Sequence, residues 1–261
     1  MASSATAPPL IPHHLSTRAA ALPDFLWVSH SFCEVQLTSV TLSTTSRPIK
    51  VVVGGESTAK PFHIHEALLV NQSKFFAAAM RKGWKENEEG VVSLPSCYPE
   101  EFAQFASFLY MGQVQVSQGT HENPGSHRLA KAWLLGTWLS STTYLDLVLD
   151  ALVYNTSGSG CDIFPTGLHT LVYSQTAGDC GMRRLLVDAA VFGWPAKKLA
   201  AMRQDHEGDD FGADVAKVYA GQKEQKNTRK QRKRAAPFHF DTCQYHEHGE
   251  KPCYKTFFEK L

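Results

Sequence analysis

Long apolar runs are missing from this sequence, and so is a surplus of charge of one sign. The longest uncharged stretch of apolar character, Trp133 to Leu145, ends at Asp146, short of the roughly 20 apolar residues that a helical membrane span needs. We therefore expect a soluble protein with no membrane partner. A formal net charge of +1 gives no global field toward nucleic acid or an anionic surface, so any basic function must be local. The cysteines, Cys33, Cys97, Cys161, Cys180, Cys243 and Cys253, are too scattered for a disulfide framework and fit reduced thiols in nucleus or cytoplasm. The N-terminus has no basic segment leading into an apolar core, which argues against secretion. The sequence also has no nucleophile elbow, P-loop, dinucleotide loop or metalloprotease helix. Glu86, Glu88 and Glu89 stand in a polar turn without partners. No enzyme is expected, and no internal repeat is seen.

What is present is ample material for a core, with 43% hydrophobic and 11% aromatic residues. Residues 1–47, rich in Pro, Ser and Thr, are expected to be a mostly disordered leader. Four β-branched residues in IKVVV precede a Gly-Gly pair, and KPFHIHE follows, so a hairpin is predicted from Pro48. Leu68, Leu69, Phe75, Phe76, Ala79 and Met80 recur at helical offsets, with Asn71 and Ser73 as caps between two short helices. VVSLP is a further strand. PEEFAQFASFLYMG begins with proline and acids where a helix N-terminus favours them, and it ends at Gly112.

The two histidines of Phe62-His63-Ile64-His65 raise the question of chemistry. One intervening residue separates them by about 200° on a regular helix, so they could not share a metal there. Phe62-x-x-His65-x-x-x-Leu69-x-x-x-Ser73-x-x-Phe76, then the Gly83-Trp84-x-Glu86 turn, the VVSLP strand and Phe108-Leu109-Tyr110-x-Gly112, resemble in order and spacing the BTB/POZ domain, in its compact filamentous-fungal form. The resemblance covers Pro48 to Val153. It implies an α/β (α+β) fold, a small sheet flanked by helices. Phe62, His65, Leu69, Ser73 and Phe76 would be fold-defining, with His65 fixing the junction of hairpin and first helix, and His63 pointing to solvent. It further implies a non-enzymatic interaction module, an adaptor or scaffold that forms homo- or hetero-oligomers. In cullin-binding members a hydrophobic-x-Glu motif follows the second helix. Trp84-Lys85-Glu86 aligns with it, which implies a partner surface for a cullin scaffold of ubiquitin ligases.

We place the domain at 48–154, a helical extension at 155–194 and a polar tail, expected to be disordered, at 195–261. In the extension, FPTGLHTLVYSQT and MRRLLVDAAVFGW read as a helical pair, and Arg184 and Asp188 stand four apart, as an ion pair requires. The basic run KEQKNTRKQRKR includes Arg229, Lys230, Arg232, Lys233 and Arg234 and resembles a nuclear localisation segment. No aromatic is interleaved with it, so nucleic acid is not expected as a partner. Cys243, His246, His248 and Cys253 offer two thiolates and two imidazoles, donors that suit tetrahedral zinc. Their spacing matches no standard finger. We therefore expect a tail without cofactor, with a closed structural zinc site as the alternative. The competing function is a nuclear regulator in which the BTB part oligomerises and a zinc-stabilised basic tail contacts nucleic acid.

Overall fold

The hairpin forms where the β-branched run stands. Strands β2 (Pro48–Val53) and β3 (Lys60–His65) pair antiparallel, with Val51 opposite Phe62. Ile49, Val51 and Val53 are fully buried on one face of β2, as a period of two requires. Gly54 turns the chain with φ of 106°, and a Cβ there would meet the Thr58 carbonyl oxygen at 2.9 Å, so glycine is required. This computed structural model describes residues 26–27, 45–116, 125–158, 167–195, 197, 199, 210–226 and 236–257. Within them, Leu26–Trp27 forms β1, antiparallel to β5 (Gln115–Val116); the rest of the expected leader up to residue 44 lies outside the described residues.

Helices α1 (Glu66–Gln72) and α2 (Lys74–Ala79) follow the hairpin, then α3 (Lys85–Glu89), strand β4 (Val91–Leu94) and α4 (Pro99–Met111). β4 returns parallel to β2, giving a three-stranded sheet in the order β3-β2-β4. This is the expected small α/β sheet with helices, and the sheet is mixed. Phe76, Phe102, Phe105 and Phe108 are buried, and neighbouring rings along this series lie 6.0–6.4 Å apart. Tyr144 closes the row at 5.1 Å from Phe105 and 5.0 Å from Phe108. Leu68, Leu69 and Leu109 are buried in the same core, whereas Phe62 and Phe75 are partly exposed at its edge.

Ser73 explains how two helices change direction without a glycine. Extended backbone at Ser73 breaks the run, its Oγ accepts from Phe76 N at 3.2 Å, and the same hydroxyl donates to Leu139 O at 2.6 Å. It thus caps α2 and ties it to α5 (Gly125–Leu139). Ser73 is 2% exposed. Ser73→Ala removes the cap and leaves a buried carbonyl unpaired, so we expect about 1–3 kcal/mol of destabilisation. Urea unfolding checks this, and an unchanged midpoint would contradict it.

Beyond α5 come α6 (Thr142–Gly158), α7 (Leu168–Gln175) and α8 (Gly181–Gly193), the last two being the helical pair of the extension. Among the described residues no helix is long and apolar enough to cross a membrane. Two expectations need correction. The tail is not disordered over its described residues: α9 (Asp210–Lys226) packs on α8 with Phe211 and Val215 buried, and residues 236–257 fold back as short 3-10 turns with Phe238, Tyr245, His246 and Cys253 buried. Burial of these scattered apolar side chains offsets the cost of ordering a polar segment. Nor do Arg184 and Asp188 pair. Arg184 reaches back to Asp179 at 2.8 Å, because Asp188 accepts from Tyr245 OH at 2.5 Å. The intervening Arg183 is buried, its guanidinium 4.0 Å above the Tyr173 ring and bonded to Thr176.

Candidate metal centre and partner surface

The four Cys/His residues of the tail come together although eleven residues of chain span them. Cys243 opens the 3-10 turn Cys243–Tyr245, His246 caps it, His248 follows, and Cys253 precedes the turn Tyr254–Phe257. One donor atom from each lies within 4.8 Å of all the others. Cys243 Sγ stands 3.1 Å from His248 Nε2, and Cys253 Sγ stands 3.4 Å from His246 Nδ1. Tetrahedral zinc with ordinary Zn–S and Zn–N bonds separates its ligands by about 3.3–3.8 Å, so this donor set would suit that ion once its widest separations close by about 1 Å. Burial raises the Cys253 thiol to about 11, and a bound cation would have to displace that proton.

The opposite ring nitrogens face oxygen atoms. His246 Nε2 lies 3.2 Å from Asp150 Oδ1, and His248 Nδ1 lies 2.9 Å from the Gly249 carbonyl. Thus Nδ1 of His246 and Nε2 of His248 are the nitrogens turned toward the thiols. Asp150, on α6, also accepts from Thr242, Tyr254 and Lys255, the Lys255 Nζ lying 2.9 Å from Oδ2. Burial opposes its ionisation, but the neighbouring His246, Lys255 and Thr242 outweigh burial and hold its pKa down to about 2. A carboxylate is therefore in place at neutral pH.

Helices α6 and α8 supply the seat for this loop. Asp146, one turn before Asp150, accepts from Glu247 N at 2.7 Å, and Glu247 Oε1 accepts from Gly181 N at 2.6 Å at the start of α8. A Cβ on Gly181 would meet the Tyr245 carbonyl oxygen at 1.6 Å, so the loop seats on α8 only because this residue is glycine. The sequence reading gave Asp146, Asp150, Asp188 and Gly181 no part in this site. A signal existed in Tyr144-Leu-Asp-Leu-Val-Leu-Asp: two acids four apart on an apolar helix, where a buried carboxylate needs a partner.

The hairpin histidines stand elsewhere, and His65 has a partner within the fold. His65 Nδ1 and the Tyr110 hydroxyl are 2.9 Å apart, and the same oxygen accepts from His65 N at 3.3 Å, fastening the strand-helix junction to α4. His63 is exposed. Trp84 stands at the N-cap of α3 and is 53% exposed, so its indole does not fill the core. Lys85 is exposed and pairs with Glu89 at 3.7 Å, and Glu86 is half-buried. Arg229, Lys230, Arg232, Lys233 and Arg234 lie outside the described residues.

A protein-family model for the BTB/POZ domain matches residues 48–132, the stretch that holds the sheet, α1 to α4 and the first half of α5. No curated protein matches the chain. A BTB/POZ domain is a protein–protein interaction module and is not itself catalytic.

Proposed function

We propose that this chain, which carries a BTB/POZ domain, is a non-enzymatic adaptor that engages a cullin-type scaffold through Trp84, Lys85 and Glu86 and holds one structural zinc ion near its C-terminal end. The observation that carries the adaptor reading is the half-exposed Trp84 indole at the start of a short exposed helix, directly after the paired helices α1 and α2. An exposed tryptophan is costly to leave in water and is well suited to fill a partner's pocket. Glu86 would orient the partner through a rim interaction, and Lys85 would contribute little. Zinc would be held by Cys243, His246, His248 and Cys253. With four protein ligands the site would be closed, adding folding energy rather than polarising a substrate.

The test is a titration of purified cullin N-terminal region against wild type and variants. Trp84→Ala is expected to weaken binding by about 2 kcal/mol, roughly thirtyfold, with an unchanged melting temperature. Glu86→Gln should have a smaller, salt-sensitive effect. No measurable wild-type binding would refute the cullin partner. A second reading draws on the Cys/His cluster: a nuclear regulator in which the BTB domain oligomerises and the zinc-stabilised tail presents its basic run to nucleic acid. Salt-dependent retention of the full chain on DNA, lost when Arg229 to Arg234 are neutralised, would favour it over the adaptor.

A further inference from the structure

Resting on the metal reading above, we infer that Asp150 makes metal binding and docking of residues 236–257 onto the domain-side helix α6 a single event. Its carboxylate has two tasks at once. Toward the metal it lies 3.2 Å from His246 Nε2, on the side of the ring opposite the Nδ1 that faces Cys253, the place from which a carboxylate supports a histidine ligand. Toward the segment it takes hydrogen bonds from Thr242, Tyr254 and Lys255, residues that flank the four ligands on both sides. A metal that draws the ligands together therefore also places the three groups that bind Asp150. Conversely, a docked segment presents its ligands already converged.

The docked segment closes one wall of a cleft of about 330 Å³ whose other wall is the α1–α2 corner. His248 and Tyr254 line it from the segment, Asp146 from α6, and Asn71 and Lys74 from the corner. Metal occupancy thus reaches the BTB core through a shared surface. Removing the metal is expected to release the segment from α6 and α8 and open this cleft, while the sheet stays folded.

The experiment uses the full chain. Wild type, Asp150→Asn and Tyr245→Phe are titrated with zinc against a chromophoric chelator, and hydrogen exchange is followed in the same samples with and without zinc. Asp150→Asn is expected to bind zinc roughly 10–100-fold more weakly. Tyr245→Phe removes the bond to Asp188 and alters no metal ligand, yet it should weaken zinc binding at least roughly threefold, because coupling between docking and metal binding is reciprocal. Zinc removal from wild type should strip protection from residues 236–257 and leave β2 to β4 protected. Affinities equal within about twofold for all three proteins, or a segment that stays protected without zinc, overturn the coupling and leave the metal site standing. A wild type that takes up no zinc overturns both. Should Asp150→Asn lose protection in β2 to β4, Tyr245→Phe and metal-free wild type decide the matter.

Discussion

Cys243→Ser is expected to abolish stable zinc uptake and to expose residues 236–257 to exchange and proteolysis, while the BTB sheet stays protected. The expectation follows from what holds the segment. Its turns are single 3-10 turns, too short for intrinsic stability, and its apolar anchors are few: Ala236, Phe238, Tyr245 and Cys253. Structural zinc contributes apparent free energies of about 10–16 kcal/mol at neutral pH, more than such anchors supply. A hydroxyl in place of one thiolate leaves three ligands and an open position, so affinity should fall by orders of magnitude. Comparing zinc content and exchange of the segment in wild type and variant checks this. A variant that keeps both metal and protection would refute the four-ligand site.

Leu69→Ala is expected to destabilise the BTB domain by about 2–5 kcal/mol, a large share of the stability of a domain this size. Leu69 is fully buried on α1, which packs against α4 and α6, and it belongs to the core that contains Phe76, Phe102 and Phe105. A close-packed core has little freedom to fill the space of a removed isobutyl group. The upper half of the range is therefore expected. Denaturant unfolding followed by tryptophan fluorescence gives the value, and a loss below about 1 kcal/mol would mean that the site collapses freely or that Leu69 is not core.

What could be read from the sequence was local. The β-branched run before Gly54 specified the hairpin, and Ser73 between two apolar clusters specified the break between α1 and α2, because capping and periodicity act within a few residues. The partnering of β2 with β4 is parallel and crosses three helices, so no turn signal announces it. The helix α9 was missed although Phe211, Val215, Val218 and Tyr219 recur at helical spacing, because Gly and charged residues interrupt them and their packing against α8 lies far away in sequence.

The candidate metal centre divides in the same way. Its ligands lie within eleven residues and were picked out from side-chain type alone. Whether they converge is decided by Asp146, Asp150, Asp188 and Gly181, which stand on helices far earlier in the chain. Asp188 shows the limit most clearly: helical spacing offered it Arg184, but the fold places Tyr245 there and turns Arg184 to Asp179. For Trp84, the sequence supplied a motif position, and the fold adds that the indole is accessible.

The central claim is that a metal fastens the C-terminal segment to the helices behind the BTB core. Its most direct test is native mass spectrometry of the full chain, purified without added metal or chelator, with hydrogen exchange on the same preparation. The account predicts about one zinc ion per chain and a protected segment 236–257 that loses protection when the ion is stripped. A metal-free chain whose segment is nonetheless protected would contradict it.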